Sequence, residues 1–250
     1  MPEPCDSLDW MRSGEAHVLG YVARLDDSAL AAPSRLPGWS RAHVAGHLAR
    51  NADALQNLVT WARTGVETPM YASVEQRAGG IEAAAAQDPD TLRSDVVAAS
   101  ERLMAALEAL DGETWDAGIR TARGRPITAA EIPWMRVREN WVHAVDLGTG
   151  ATFADMPAGA VDRLVDEVAG GLAGRDDCPA VTLTATDRDP ARSWTIGPER
   201  PGSVTIFGRP TPAEGNAFAA PAEVEGTAAE LLAWLIGREP GDYPPVPPWL

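Results

Sequence analysis

The chain has 250 residues, a formal net charge of −15, and a 45% hydrophobic content that is ordinary for a globular protein. All 21 basic residues are arginine, which excludes lysine Schiff-base chemistry and a P-loop lysine. Because an acidic surface repels nucleic-acid phosphates and anionic lipids, we expect neither a nucleic acid nor a membrane as partner. The first residues show no secretory signal, and Cys5 and Cys178 form no paired motif, so we expect a reduced, cytoplasmic protein.

Residues 1–152 have the pattern of successive helices, in which apolar side chains recur every three or four positions. Ser40 is a suitable N-cap for the second of these helices. The predicted helices cover residues 6–26, 41–64, 90–110 and 132–147. The longer connections, 65–89 and 111–130, fit a four-helix bundle with loops of unequal length.

The periodicity changes in residues 153–250. A helix at about 157–174 is followed by short β-branched runs bounded by glycine or proline, at 181–187, 192–198, 202–208 and 222–226. A capping box from Thr227 to Glu230 begins a last helix, and the proline-rich tail DYPPVPPWL cannot be helical. We therefore predict an α+β protein with two domains, a bundle over 1–152 and a small α/β domain with an antiparallel-type sheet over 153–250.

Candidate metal ligands occur in pairs on two predicted bundle helices. His43 and His47 are four residues apart, as are Glu139 and His143, and this spacing places each pair on one helix face. Antiparallel helices can direct two such faces at one another, and two imidazoles with one carboxylate form an open catalytic zinc site. Spacing alone does not decide between His43 and His47, and isolated pairs of this kind also occur by chance.

Three segments carry a resemblance to a known family: LPGWSRAHVAGHLARNADAL, ETPMYASVEQRAGGIE and WMRVRENWVHAVDLGTGATFADMP. They resemble the mycothiol-dependent maleylpyruvate isomerases, which join a DinB-type four-helix bundle to a small C-terminal α/β domain. The likeness covers most of residues 36–158, fades in the second domain, and returns at an arginine near the end and at the PPWL terminus. It implies that His47, Glu139 and His143 bind zinc or another divalent ion, and that mycothiol is the thiol cosubstrate.

Further site residues follow from the resemblance and from helix position. His43 becomes a neighbour of the metal, as a hydrogen-bond donor to a ligand or a proton carrier, and Asn51 shares the face of His47, so both are expected near the thiol cofactor. Arg77 and Arg238 match family positions and are expected to bind the carboxylates of a small dicarboxylate substrate. Asp146 either orients a ligand imidazole or has a surface or capping role.

The resemblance implies a cis–trans isomerase that converts maleylpyruvate to fumarylpyruvate in the gentisate route of aromatic degradation. A thiolate that adds to the alkene allows rotation about a single bond and is then expelled. No thiol of this chain is placed for that role, so the nucleophile is expected from mycothiol. The alternatives are a mycothiol-dependent S-transferase that acts on another electrophile and a non-catalytic zinc-binding regulator.

Overall fold

The protein is described here by a computed structural model that covers residues 4–198, 205–206, 209–210, 221–239 and 243–249. The chain divides into two compact units, Met1–Thr152 and Phe153–Leu250. The helices are α1 (Pro4–Arg24), α2 (Asp27–Ala31), α3 (Arg41–Thr64), α4 (Val74–Ala85), α5 (Pro89–Glu108), α6 (Ile132–Asp146), α7 (Ala158–Leu172) and α8 (Ala228–Leu235). The strands are β1 (Gly118–Arg120), β2 (Pro126–Thr128), β3 (Val181–Ala185), β4 (Arg192–Ile196), β5 (Thr205–Ile206), β6 (Arg209–Pro210) and β7 (Ala222–Gly226).

The first unit is a bundle of α1, α3, α5 and α6, in which α3 packs against α5 and α6 and α1 packs against α6 and α5. These four helices were predicted, and their ends differ from the predicted ends by about two residues or less. Local signals set several ends: the Ser40 hydroxyl accepts a hydrogen bond from the His43 amide, and Gly65 closes α3 with a φ of 69°. The predicted fold class is confirmed.

The two long connections are more structured than predicted. Residues 65–89 contain α4, which packs along α3, so Arg77 lies on a helix and not in a loop. Only Ile81 and Ala84 of α4 are buried, which gives the segment little apolar periodicity and explains why the sequence pattern missed it. Residues 111–130 contain a short antiparallel hairpin, β1 with β2, in which Ile119 faces Ile127.

The second unit has a three-stranded sheet in the order β4–β3–β7, with α7 packed on β4 and α8 packed on β3 and β7. β3 pairs with β4 antiparallel but with β7 parallel, so the sheet is mixed and not antiparallel throughout. Of the strand predicted at 202–208, residues 205–206 form β5, and the rest lies outside the described residues. Residues 243–249 contain no helix, as predicted.

None of the helices within the described residues is both long and apolar enough to cross a membrane.

Candidate metal centre

The start of α3 and the end of α6 lie side by side in the bundle. The Arg41 guanidinium donates to the Leu147 carbonyl over 2.7 Å, which ties the first turn of α3 to the last turn of α6. Deeper in the bundle, Arg136 of α6 donates to the Leu48 carbonyl of α3 over 2.8 Å. Because the helices are antiparallel, these two contacts place His47 opposite the middle of α6.

His47, Glu139 and His143 meet at this point. Oε2 of Glu139 lies 2.8 Å from Nε2 of His47 and 3.2 Å from Nε2 of His143. The two imidazole rings are 4.6 Å apart and nearly perpendicular, at 83°. Each residue offers one ligand atom, and these atoms lie within 4.8 Å of one another. The helical pairing predicted from the sequence therefore brings together His47 and the Glu139–His143 pair.

The donor set and its spacing fit a divalent metal ion. Ligand atoms at about 2.0–2.1 Å from a tetrahedral ion are about 3.3 Å apart, and the two Glu139–histidine separations here are 2.8 and 3.2 Å. The His47 side chain is 4% exposed, whereas 30% of the Glu139 side chain is accessible, so the cluster is closed on the bundle side and open on the other. Three protein ligands with one open side are typical of catalytic zinc, where the fourth position takes a substrate or cosubstrate atom.

Asp146 holds one of the ligand imidazoles from behind. Its carboxylate Oδ2 lies 2.9 Å from Nδ1 of His143, and Asp146 itself is fully buried. This contact directs Nε2 of His143 toward the cluster and is the carboxylate–histidine arrangement found behind metal-bound histidines. Of the two roles considered for Asp146, the structure shows the orienting one. Nδ1 of His47, by contrast, is buried without a hydrogen-bond partner in the described part of the chain.

The charged state of the cluster follows from these contacts. Burial lowers the pKa of His143, but the hydrogen bonds with Asp146 and Glu139 outweigh it and raise that pKa to about 9. Burial also lowers the pKa of His47, and there the Glu139 hydrogen bond does not compensate. Burial raises the pKa of Glu139, but its hydrogen bonds to both histidines hold that pKa well below its usual range. Glu139 is therefore a carboxylate, as a metal ligand must be.

A cation and a tyrosine lie beside the cluster. The positive charge of Arg77, on the first turns of α4, is one of the influences that lower the pKa of His47. The Arg77 guanidinium lies 5.8 Å from the centre of the Tyr71 ring, and it forms no ion pair with a carboxylate of the described residues. Glu139 acts in turn on the pKa of Tyr71, which places the tyrosine within electrostatic reach of the ligands. Sequence reasoning missed Tyr71, although it is six residues before Arg77 in a segment that carried the resemblance.

Family models match both units of the chain. The mycothiol maleylpyruvate isomerase N-terminal domain matches residues 11–148, and the C-terminal domain of the same family matches residues 155–244. The chain belongs to the mycothiol maleylpyruvate isomerase family. The sequence resemblance is thereby confirmed, and in the second unit it extends further than the sequence motifs indicated.

Solved structures agree with membership of the mycothiol maleylpyruvate isomerase family. A crystal structure of the mycothiol-dependent maleylpyruvate isomerase is 31% identical, with a TM-score of 0.81 over 100% of this chain and 98% of that one. A crystal structure of a histidine-to-alanine mutant of that enzyme is 30% identical, with the same coverage and TM-score. No match was found among curated protein sequences.

His43 and Asn51, which the sequence placed near the thiol cofactor, already have hydrogen-bond partners in the protein. His43 completes the capping box of α3: its ring Nδ1 is 3.2 Å from the Ser40 amide, and its Nε2 is 3.2 Å from Glu82 of α4. Asn51 is 3% exposed, and its Oδ1 accepts a hydrogen bond from the buried Arg136. Contact of His43 or Asn51 with the thiol cofactor stays a prediction.

Arg238 is the second arginine predicted to bind substrate. It lies in the second unit of the chain, just after α8. It is half-buried, and its Nη1 donates to the Ile236 carbonyl over 2.9 Å. A substrate role for Arg238 stays a prediction. The centre of the Trp39 ring lies 5.7 Å from the centre of the His47 ring, so Trp39 borders the cluster. Sequence reasoning did not identify Trp39 as a functional residue.

Proposed function

We propose that the protein is a mycothiol-dependent isomerase that converts maleylpyruvate to fumarylpyruvate. The observation that carries the proposal is the convergence of His47, Glu139 and His143 on one open point, with the Arg77 cation, which forms no ion pair within the described residues, beside it. A chain of this family with these residues has what a thiol-dependent reaction of a dicarboxylate needs: a place for a metal and a carboxylate-binding cation.

His47, Glu139 and His143 would hold the metal, which we propose to be zinc, and Asp146 would keep the His143 ring in the binding orientation. A divalent ion held by these residues would lower the pKa of a thiol bound to it, so that the cosubstrate would be a thiolate near neutral pH. Arg77 would bind one substrate carboxylate, and we propose Arg238 for the other. We expect His43 and Asn51 to lie along the path of mycothiol.

The substrate chemistry can be written with a full electron balance. The cosubstrate sulfur forms a bond to one alkene carbon, and the π electron pair moves onto the ketone oxygen to give an enolate. The former double bond is now single and rotates. The electron pair then returns, the carbon–sulfur bond breaks, and the trans isomer leaves with the thiolate restored. No net proton or electron is consumed.

The compartment is part of the proposal. Cys178 is a free, buried thiol. A reduced cysteine is typical of the cytoplasm. We therefore propose a cytoplasmic enzyme whose partners are mycothiol and a small dicarboxylate.

The test is an absorbance assay of the purified protein with maleylpyruvate and mycothiol, with and without a chelator. We expect conversion that requires both the thiol and the metal. Mass spectrometry of the product distinguishes the alternative, because a persistent mycothiol adduct would identify an S-transferase. Absence of turnover with any thiol would point to a zinc-binding regulator.

Arg77→Met tests the substrate-binding part of the proposal. Loss of a charge-assisted hydrogen bond to a carboxylate, worth about 1.5–3 kcal/mol, is expected to lower kcat/KM by roughly 10- to 100-fold. Metal content is expected to stay unchanged, because Arg77 is not a ligand. Arg123→Met is the matched control, since Arg123 is an exposed arginine in the β1–β2 turn. Equal kcat/KM values for the two variants would remove Arg77 from the site.

A further inference from the structure

Tyr71 lies in the connection between α3 and α4, and the residues before and after it in the chain are both held by contacts with these helices. The preceding residue, Met70, is buried with 7% exposure, and the Asn57 amide of α3 donates to the carbonyls of Pro69 and Met70 over 3.3 and 3.4 Å. On the following side, Ser73 caps α4, whose Arg77 covers the Tyr71 ring. The segment thus presents a half-buried tyrosine in a defined position next to Arg77.

Charges of both signs act on the Tyr71 hydroxyl. Burial raises its pKa above the ordinary value, and Glu139 acts in the same direction, whereas Arg77, through its charge and a hydrogen bond, and Arg136 act in the opposite direction with a smaller effect. Tyr71 is therefore a neutral phenol at neutral pH, and because a guanidinium can only donate to the phenol oxygen, the hydroxyl keeps its own proton to donate.

The proposed reaction needs such a donor. Addition of the thiolate places a negative charge on the ketone oxygen, and a hydrogen-bond donor directed at that atom lowers the barrier. Two other polar side chains near the ligands already have protein partners: His43 is engaged by Ser40 and Glu82, and Asn51 by Arg136. Arg77 is assigned to a substrate carboxylate.

We propose that the Tyr71 hydroxyl donates a hydrogen bond to the enolate oxygen, while the neighbouring Arg77 holds the carboxylate. This inference rests on the proposed function and names a catalytic residue for it. The hydroxyl retains its proton throughout, so the enolate collapses directly when the carbon–sulfur bond breaks.

The test compares Tyr71→Phe with Tyr21→Phe. Tyr21 is a matched control because it also lies under an arginine, with Arg24 4.5 Å from its ring centre, but on α1. Loss of an oxyanion donor is expected to lower kcat about 100-fold or more in Tyr71→Phe, with KM little changed. Tyr21→Phe is expected to retain the wild-type kcat.

Two measurements without turnover accompany the kinetics. Metal content of Tyr71→Phe should equal that of the wild type. Equilibrium binding of fumarylpyruvate without mycothiol should change by less than about threefold, because a neutral ketone gains little from the hydroxyl, whereas Arg77→Met should weaken it by about tenfold or more.

Three outcomes would overturn the inference in distinguishable ways. An active wild type with an equally active Tyr71→Phe removes the donor role and leaves the proposed function intact. A slow Tyr71→Phe that has also lost metal or fumarylpyruvate binding shows that Tyr71 only positions the site. A wild type that binds metal but does not convert maleylpyruvate overturns the proposed function, and the inference with it.

Discussion

At the residue scale, His47 and His143 show how neighbours set the chemistry of one side-chain type. Both rings contact the same Glu139 oxygen, but only His143 has a second carboxylate, Asp146, at its other nitrogen. Burial, together with the charges of His143 and Arg77, lowers the pKa of His47, whereas the two carboxylates outweigh burial and raise the pKa of His143 to about 9. The two histidines therefore differ in basicity although they face the same point.

Asp146→Asn tests the support behind His143. The amide retains the shape but loses the charge that makes the imidazole a better ligand, so metal affinity is expected to fall by about 10- to 100-fold. Competition with a metal indicator measures this affinity. Asp9→Asn is the control, because the Asp9 side chain is 74% exposed and forms a surface ion pair with Arg12. An affinity equal to that of the control would show that Asp146 does not act on the metal site.

Cys178→Ala tests whether Cys178 supplies the thiol of the reaction. Cys178 is 4% exposed, and burial raises its pKa, so it is an unreactive thiol at neutral pH. We expect the variant to keep full mycothiol-dependent activity, and native Cys178 to resist alkylation until the protein is unfolded, as measured by peptide mass mapping. Loss of turnover with intact metal would indicate a protein-borne nucleophile.

At the scale of elements, the position of α4 depends on one small residue of α3. A Cβ at Gly46 would lie 2.9 Å from the Ala84 Cβ and 3.2 Å from the Ala85 backbone nitrogen, so α4 packs directly on the α3 backbone next to His47. This close approach is what brings Arg77 and Glu82 to the site.

Gly46→Ala is expected to destabilise the protein by about 1–3 kcal/mol, because the helices must separate. It should also lower kcat/KM, since Arg77 moves with α4. Gly79→Ala is the matched control: it lies in α4 with nothing within 4 Å of its added Cβ, and there alanine is expected to stabilise by about 0.5–1 kcal/mol. Urea unfolding and steady-state kinetics measure both effects. A stable, fully active Gly46→Ala would contradict the packing argument.

Arg136 connects the four bundle helices from inside. It is fully buried and pairs with Glu15 of α1 at 2.7 Å, while its other nitrogens donate to α3 and to Ser100 of α5. Its position three residues before Glu139 means that the same contacts align the proposed ligands of α3 and α6.

Arg136→Met should cost about 3–5 kcal/mol of unfolding free energy, because Glu15 is left as a buried charge without its partner. Arg102→Met is the control: its ion pair with Asp53 has side chains 47% and 38% exposed, and such surface pairs contribute about 0–1 kcal/mol. Chemical denaturation compares the two. Similar losses for both variants would show that the buried network adds nothing beyond a surface pair.

At the scale of the whole molecule, a metal bound by α3 and α6 should stabilise the fold that creates its site. The ligands are 92 residues apart along the chain, so an unfolded chain does not present them together. A ligand that binds only the folded state adds about 4 kcal/mol when it is present at a thousand times its Kd.

We therefore expect zinc to raise the Tm of the chelator-treated wild-type protein, and the chelator to lower it again. His47→Ala removes one proposed ligand and should abolish the zinc-dependent shift, which is measured against the metal-free Tm of the same variant because the loss of a buried side chain lowers that Tm by itself. Differential scanning calorimetry measures both proteins. An equal zinc shift in His47→Ala would exclude the proposed ligand set.

The bundle and half of the metal centre were predictable because they depend on local periodicity. The helix period alone places Glu139 and His143 on one helix face. The helix caps formed by Ser40 and Thr227 can also be recognised from the sequence. The helix α4 was not predictable in this way, since its stability comes from the Ser73 cap and from packing on α3. The parallel pairing of β3 with β7 also joins segments far apart in the chain.

The sequence by itself determined the acidic composition, the helical and strand-rich halves, and the residue pairs able to bind a metal. Only the tertiary structure decided that His47 meets Glu139, that Asp146 is buried behind His143, and that Tyr71 lies under Arg77. The physical reason is the range of the interactions. Turn and cap contacts act over three or four residues, whereas burial and electrostatics depend on which distant faces pack together.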